Sequence, residues 1–323
     1  NEYTAILPPE ATEKYGEKFG MDTLIGTGPF KFESWKRGQK ITLARNENYD
    51  HAPTFIENEG PAYLEKFVFQ VIPEQLTRYQ ELSAPQGKVE LSEIPGKFYD
   101  KAKNSGNLQL LSRSDHWSGM VVQNMQKEVF QEKSVRKAIA HSINKDAVLK
   151  AAFNGVGYKA HGLFPSSVTG YWPGVEDVAY KYDTEKAKEL LEEAGWVDSN
   201  SDGIREKDGE KLELKLLTFT RELYSKTAQM IKAQLKQVGV GINTETLEVG
   251  AGLEKLGQGE EGRFDLGFSG IAWTFGEGFL NFVCGQGNIP SSNFSRYRND
   301  ELEEAIQTAM SDPDTQARQQ ALG

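Results

Sequence analysis

Hydrophobic and polar residues alternate with a period of two near the start of the chain. Phe30 and Phe32 alternate with charged residues, and Ile41 and Leu43 alternate with small ones after a glycine-containing turn at residues 37–39. A period of two is typical of a strand that has one buried face. The pattern therefore predicts two antiparallel strands joined as a hairpin.

Further short runs of apolar residues continue this pattern through the first part of the chain. They lie at residues 67–71 and 108–111, and each predicts a strand, as does a run at residues 120–122 that begins the next part of the chain. The stretch around residues 112–119 separates this strand-rich part from the rest of the chain. We expect residues 1–115 and residues 116–323 to belong to different domains.

From about residue 120 the apolar period changes to that of a helix. Asp183 is a good helix N-cap and Gly195 a good stop, and Asp300 with Glu303 predicts a capping box. The alternation of helices and strands in this half predicts an α/β domain. The predicted helices cover residues 135–142, 184–194, 228–238 and 302–309, and the strands cover residues 212–216 and 264–273.

Composition narrows the classes of function. The 323 residues are enough for two domains, and the net charge of −10 argues against nucleic-acid binding, which requires a basic surface. The only cysteine, Cys284, excludes an intramolecular disulfide. The four histidines share no metal-ligand spacing, and neither a nucleophile elbow nor an HExxH motif is present. A hydrolase is therefore a weak alternative.

Five motifs occur in a fixed order along the chain. The first is GTGPFKF at residues 26–32, followed by Trp35, Gly38 and RNENY at residues 45–49. The others are SVRKAIAHSINK at 134–145, YDTEKAKELLEEAGW at 182–196, AQMIKAQL at 228–235, and NFS at 293–295 with YRNDEL at 297–302. Together they resemble the pattern of the family 5 extracytoplasmic solute-binding proteins, the oligopeptide-, dipeptide- and nickel-binding receptors of ABC importers.

The resemblance implies an α/β fold of the type II periplasmic-binding-protein kind, with two lobes. Residues 1–115 would be part of lobe one, and residues 116–323 would be lobe two, with the start of a return toward lobe one at its end. Family members extend beyond both ends of the matching region, so we expect a fragment that lacks both chain ends and has an incomplete first lobe.

The same resemblance implies a function outside the cytoplasmic membrane, either periplasmic or lipid-anchored at its outer face. The protein would be the substrate-binding subunit of an ABC importer, a monomer that needs no cofactor. It would capture a peptide or another small solute between its lobes and deliver it to the membrane permease. A ligand sensor or scaffold on the same fold is an open alternative, since its sequence would look the same.

The segment around Trp273 resembles the family motif W-x-x-D-Y-x-D-P, whose first aspartate holds the α-ammonium of a peptide ligand. Trp273 matches the tryptophan, but Gly276 stands at the position of the aspartate, with Glu277 one residue later. We predict that Trp273 and Phe275 contact the ligand and that Glu277 binds an amine. Two alternatives remain open: Trp273 belongs to the core of the protein, or the pocket binds a neutral solute.

Arg221 and Lys226 follow the predicted strand that ends near residue 219. Loops at the carboxyl ends of strands in α/β domains face the binding crevice. We predict that Arg221 binds a carboxylate or phosphate of the ligand. Lys226 falls near a basic position of the dipeptide-binding members that this chain resembles, and we predict that it also contacts the ligand. Solvated surface charges are the alternative for both residues.

The loop that begins at Asp198 resembles part of a calcium-binding loop. Asp198, Asn200 and Asp202 stand at ligand positions 1, 3 and 5, but Gly209 takes the place of the glutamate that closes an EF-hand site. A turn rich in Asx residues is the preferred interpretation, and a bound Ca²⁺ is the alternative.

Overall fold

The computed structural model describes residues 8–21, 23–257, 263–273, 275–312 and 314–322. The chain divides into two compact units, one formed by residues 1–98 and 105–108, the other by residues 99–104 and 109–323. No helix among the described residues has both the length and the apolar character that a membrane span requires. Each unit has its own sheet.

The first unit contains a three-stranded antiparallel sheet in the order β1-β2-β3. Gly38, with φ of +69°, makes the turn of the predicted hairpin, and the pairing register shifts between Phe32 and Ser34, as in a β-bulge. The predicted hairpin and the predicted strand near residue 67 are both confirmed. The elements are α1 Pro9–Tyr15, β1 Phe30–Lys36, β2 Lys40–Arg45, β3 Lys66–Gln70 and α2 Gln75–Ser83.

The strand predicted at residues 108–111 is wrong, because these residues form no regular secondary structure. Leu111 is 79% exposed, so the apolar alternation does not correspond to a buried face here. A strand also needs a neighbour to complete its hydrogen bonds, and a local pattern does not supply one.

The second unit alternates helices with the strands of a mixed sheet in the order β4-β9-β7-β8. β7 is parallel to β8 and β9, whereas β4 runs antiparallel to β9. Its strands are β4 Trp117–Gln123, β5 Glu206–Lys207, β6 Glu210–Lys211, β7 Glu213–Phe219, β8 Gly241–Leu247 and β9 Leu266–Ala272. Its helices are α3 Tyr99–Lys103, α4 Lys133–His141, α5 Lys145–Ala152, α6 Val175–Val178, α7 Thr184–Glu193, α8 Glu222–Lys236, α9 Val249–Gly257, α10 Gly276–Cys284, α11 Asp300–Ser311 and α12 Thr315–Leu322.

The core of the second unit lies between the sheet and helices α4, α7 and α8. Ile139, Leu191, Leu216, Leu235 and Leu266 are all buried in one apolar cluster there. Their helical and strand periods place these residues on the inward faces, which is why the helices predicted at residues 135–142, 184–194 and 228–238 are confirmed. The α/β class expected for this half is also confirmed.

The ends of two helices test the capping predictions. The Asp183 carboxylate accepts a hydrogen bond from the Lys186 N–H at 2.9 Å, as an N-cap does, so this prediction is confirmed. The capping box at Asp300 is wrong, because Asn299 is the N-cap and accepts from the Leu302 N–H at 2.7 Å. Asn299 has the extended backbone of a cap, and Asp300 is already helical.

Candidate functional site

The candidate ligand residues cluster at one edge of the second unit's sheet. Arg221 follows the carboxyl end of β7, and Trp273 follows the carboxyl end of β9. Because β7 and β9 are parallel neighbours, both residues lie on the same side of the sheet, where the carboxyl ends of these strands are. In open α/β sheets this edge is where ligands bind.

Trp273 packs against helix α10. Its ring stacks on the Phe282 ring, with centroids 5.1 Å apart and planes tilted by 29°. A Cβ placed on Gly278 would lie 2.8 Å from Trp273 Nε1, so the indole also passes close to the backbone of α10. The residue is partly exposed. It is therefore held in place by α10 while part of it still reaches solvent.

Phe275 and Gly276 join the end of β9 to the segment around Thr169. Phe275 pairs with Thr169 in an isolated bridge and is 57% exposed, and the Gly276 N–H donates to the Thr169 carbonyl at 2.9 Å. A Cβ on Gly276 would come 2.4 Å from that carbonyl oxygen. The close approach explains the glycine, since no side chain fits at the position where the family motif has aspartate.

Glu277 lies in the first turn of α10, which begins at Gly276. Its carboxylate forms an ion pair with Arg318 of α12 at 2.9 Å, and its side chain is 19% exposed. The negative charge at this position is therefore already matched by a cation of the chain. The amine-binding role of Glu277 stays a prediction, with Arg318 as the competitor.

Arg221 and Lys226 differ in their surroundings. Arg221 is exposed and precedes α8, whereas Lys226, on the first two turns of that helix, pairs with the carboxylate of Glu222 at 2.7 Å. A pair one turn apart on an exposed helix face contributes little stability and leaves the ammonium hydrated. Arg221 is the better placed of the two for a ligand at the sheet edge.

The loop from Asp198 to Asp202 uses its side-chain oxygens to bond its own backbone. Asp198 accepts from the N–H groups of Asp202 and Gly203 at 3.1 and 3.0 Å, and Asn200 accepts from the Asp202 N–H at 2.8 Å. The Asp202 carboxylate accepts from the Ile204 N–H with one oxygen and binds the ammonium of Lys211 with the other. These are the contacts of an Asx-rich turn. The described residues contain no group of three or more His, Cys, Asp or Glu arranged to hold a metal ion.

Three residues of this region escaped the sequence analysis, namely Thr169, Phe282 and Arg318. Each contacts a predicted site residue: Thr169 and Arg318 contact residues far away along the chain, 41 residues away in the case of Arg318 and Glu277, whereas Phe282 contacts the nearby Trp273. No local periodicity or motif marks such partners. The packing of α12 on α10 brings Arg318 to the site, and a backbone bridge to Phe275 brings Thr169 there.

Comparison with known proteins gives a consistent family relationship. The model for bacterial extracellular solute-binding proteins, family 5 middle region, matches residues 2–288. The oligopeptide-binding protein AppA of Bacillus subtilis is 31% identical over 262 residues, which are 78% of this chain and 46% of that protein. The heme-binding protein A of Haemophilus influenzae is 29% identical over 292 residues, 88% of this chain and 49% of that protein.

Solved structures show the same relationship in three dimensions. AppA from B. subtilis in complex with a nonapeptide aligns with a TM-score of 0.74 at 26% identity, covering 98% of this chain and 62% of that one. NikA from Brucella suis in complex with Fe(III)-EDTA aligns with a TM-score of 0.76 at 25% identity, covering 92% of this chain and 58% of that one. The fold is thus that of the type II periplasmic binding proteins. The chain spans about half the length of the two curated relatives, AppA of B. subtilis and the heme-binding protein A of H. influenzae.

Proposed function

Because the chain belongs to the bacterial extracellular solute-binding proteins of family 5, we propose that it is part of the substrate-binding subunit of an ABC importer. In this function it captures a small solute outside the cytoplasmic membrane and hands it to the membrane permease. The observation that carries the proposal is the family match over residues 2–288, and the position of Arg221 and Trp273 past the carboxyl ends of two neighbouring parallel strands supports it. The protein then works as a monomer without a cofactor, and it is a binding protein rather than an enzyme.

The site favours a ligand with a flat apolar group and an anionic group. The exposed Phe275 ring and the partly exposed Trp273 offer apolar faces, and the Arg221 guanidinium can donate two parallel hydrogen bonds to a carboxylate. The relatives named above bind an oligopeptide, heme or a metal chelate. A peptide fits this class through its carboxylate and side chains, as does another small anionic solute with an apolar group.

The anchoring of a ligand amine is the least supported part of the site. Gly276 has no room for a side chain, and Glu277 is bound to Arg318. An amine that binds Glu277 must displace the Arg318 guanidinium, which costs a charge-assisted hydrogen bond. We infer that the ligand's ammonium, where it has one, is not the main determinant of affinity at this position.

The first experiment identifies the solute and tests the binding function directly. Mass spectrometry under native conditions on the full-length protein should reveal a co-purified small molecule, and calorimetry should then give its affinity. A purified sample that instead hydrolyses a peptide, ester or glycoside, and loses that activity on one point substitution, would contradict the proposal.

Variants then test the individual contacts with the identified solute. Trp273→Ala should weaken binding by about 30- to 1,000-fold, the range of an interface hot spot of roughly 2–4 kcal/mol. Arg221→Gln should weaken the binding of anionic ligands. Lys226→Gln serves as its matched control and should change the affinity less than threefold. Unchanged affinity in Trp273→Ala with a large fall in the melting temperature would assign Trp273 to the core.

The role of Glu277 needs a pair of variants. If Glu277 binds a ligand amine, Glu277→Gln lowers the affinity for cationic ligands and leaves the affinity for neutral ones unchanged. Arg318→Gln then raises the affinity for cationic ligands, because it frees the Glu277 carboxylate. If the pair is structural, both substitutions lower the melting temperature alike and leave the ligand preference unchanged. Equal affinity for both ligand kinds in both variants would remove the amine-binding role.

A further inference from the structure

The side chain of Trp117 covers part of the second unit's sheet, close to the candidate ligand residues. Trp117 is the first residue of β4 and pairs with Ala272, the last residue of β9, so it lies where the carboxyl end of β9 is. A Cβ added at Gly119 would lie 2.7 Å from Trp117 Cη2, and one added at Gly270 would lie 2.7 Å from Trp117 Nε1. The indole therefore rests on two positions that have no room for a side chain, and part of it still reaches solvent.

The hydroxyl group of Tyr224 is hydrogen-bonded to the indole of Trp117. An indole N–H can only donate, so the Tyr224 oxygen is the acceptor of this hydrogen bond. The tyrosine ring is held in place by the rings of Phe219 and Phe268, whose centroids lie 5.1 and 5.5 Å from its own. In the described part of the chain the hydrogen of the Tyr224 hydroxyl has no acceptor. The hydroxyl is therefore a positioned donor that can serve a bound molecule.

Arg221 lies three positions before Tyr224, at the start of α8. Residues three positions apart are neighbours on a helix surface. Arg221 is exposed, and it forms no ion pair with any residue that the structure describes. Burial raises the pKa of Tyr224 above its ordinary value of 10.0, although the Trp117 hydrogen bond and the nearby Arg221 charge oppose the rise. Tyr224 therefore keeps its proton at neutral pH and remains a donor.

Two acidic side chains near Arg221 have partners of their own. Glu222 pairs with Lys226 at 2.7 Å, and Glu248, which follows β8, accepts a hydrogen bond from the Thr220 hydroxyl at 2.9 Å. Neither carboxylate is paired with the Arg221 guanidinium. An anion from outside the chain can therefore take that place.

We propose that Arg221 and the Tyr224 hydroxyl form one subsite for an oxyanion of the solute, a carboxylate or a phosphate. Trp117 is a positioning residue there, because its N–H occupies the tyrosine oxygen and leaves the hydroxyl hydrogen for the anion. The guanidinium supplies charge and two parallel N–H donors, and the hydroxyl supplies a further donor to the same group. This subsite rests on the proposed solute-binding function and adds a specificity to it. An anionic solute is preferred to its neutral amide, which leaves the guanidinium charge unmatched.

Titration with small anions tests the subsite without the complete solute. Acetate and inorganic phosphate are added separately to the 323-residue chain at constant ionic strength. Heteronuclear NMR follows the indole N–H signal of Trp117, assigned with Trp117→Phe, and the backbone amide signal of Arg221. We expect both signals to shift along one saturation curve. Tighter binding of acetate would assign the subsite to a carboxylate, and tighter binding of phosphate would assign it to a phosphate group.

Substitutions separate the hydroxyl from the guanidinium. Tyr224→Phe removes the hydroxyl alone and should raise the dissociation constant of the tighter-binding anion about tenfold, because a hydrogen bond to a charged group is lost. Arg221→Gln should abolish saturation, since the charge is lost. Tyr182→Phe, at an exposed tyrosine before α7, is the matched control and should change the constant less than about twofold.

Three results would overturn the subsite. One is an unchanged dissociation constant in Tyr224→Phe, which, with a lower melting temperature, would make the hydroxyl purely structural. Another is a shift of the Arg221 amide signal while the Trp117 indole signal stays in place, which would leave Arg221 as the anion's partner without Tyr224. The third is the absence of saturation with both anions. None of these results touches the proposed function, because that function is tested by the solute that co-purifies with the full-length protein.

Discussion

At the scale of single residues, Arg205 is the most informative side chain of the second unit. It is buried, and it donates to the carbonyls of Val238 at 2.9 Å and Trp196 at 2.8 Å and to the Glu192 carboxylate at 3.0 Å. The two carbonyls lie just past the ends of α8 and α7, where helices leave carbonyl groups without partners. Arg205 thus ties two helix ends to the segment that leads into β5.

Arg205→Met should destabilise the second unit by about 3 kcal/mol, because two carbonyls lose a donor and each costs roughly 1–3 kcal/mol. Urea unfolding followed by circular dichroism measures the change in the free energy of unfolding. Lys186→Met is the control, since Lys186 is an exposed partner of Glu189 on α7 and should change the free energy by less than about 0.5 kcal/mol. Equal effects of the two substitutions would show that the Arg205 contacts contribute little.

Asp202 illustrates how the charge of one side chain makes the stability of the folded protein depend on pH. The hydrogen bond from the Lys211 ammonium, with that of the Ile204 N–H, lowers the pKa of the Asp202 carboxyl below its ordinary value of 3.8. A lowered folded-state pKa means that the contribution to stability is present above the unfolded-state pKa, near 3.8, and is lost as pH falls through the folded-state pKa.

We therefore expect Asp202→Asn to reduce the fall in melting temperature between pH 7 and pH 2.5. The matched control is Glu210→Gln, an exposed acid on neighbouring β6, which should leave that fall unchanged. Scanning calorimetry at both pH values measures the difference. An identical pH dependence in the parent and in Asp202→Asn would mean that the Lys211 contact is not formed in solution.

The same loop gives a prediction about calcium. Because the oxygens of Asp198, Asn200 and Asp202 already accept backbone hydrogens, the melting temperature should be the same in about 5 mM EDTA and in about 5 mM Ca²⁺. A rise of several degrees in calcium that Asp202→Asn abolishes would establish a calcium site in place of the turn.

At the scale of elements, helix ends show where glycine is required. Helix α8 is followed by Gly239, which has φ of +85°, and a Cβ there would lie 2.7 Å from Arg205 Cγ. Gly203 has a similar φ of +86° but nothing within 4 Å of an added Cβ. Substitution therefore strains the backbone at both positions, but only at Gly203 is there free space for an added Cβ.

Gly239→Ala should destabilise the second unit by about 1–3 kcal/mol more than Gly203→Ala, because only the first adds an overlap to the strain of a left-handed backbone. Chemical unfolding of the two variants and the parent gives the difference directly. If both substitutions cost the same, the Arg205 side chain moves away freely and the overlap carries no energy.

At the scale of the whole molecule, the two units bury very different amounts of apolar side chain. Among the described residues, only Ala11 and Phe98 are buried apolar residues of the first unit, whereas the second contains two apolar clusters. The first unit's sheet leaves Val68 and Phe69 about half exposed, at 47% and 53%. Local stability follows buried apolar contacts, so the units should differ in their resistance to opening.

In the 323-residue chain, amides of β2 and β3 should exchange with solvent at least about 100-fold faster than those of β7, the central strand of the larger sheet. Limited proteolysis should correspondingly cut first within residues 1–98 and leave a resistant product that begins near residue 109. Equal protection of the two sheets, or first cleavage within residues 109–257, would contradict this difference.

The sequence by itself determined many of the local elements and the family. The hairpin of β1 and β2, the N-cap at Asp183 and the apolar faces of α4, α7 and α8 were all predictable, because each depends on residues within a few positions of one another. The five ordered motifs predicted the family that the comparison then confirmed. Short-range periodicity and order along the chain carry this information, so no three-dimensional contact was needed.

Only the tertiary structure decided what surrounds the candidate site. It paired Glu277 with Arg318, 41 residues away, and it brought the Thr169 carbonyl so close to Gly276 that no side chain fits. Among the described residues, it also gave β4 a partner strand on one side alone, namely β9. These features arise where distant segments pack together, and their energies depend on distances that a one-dimensional pattern does not contain.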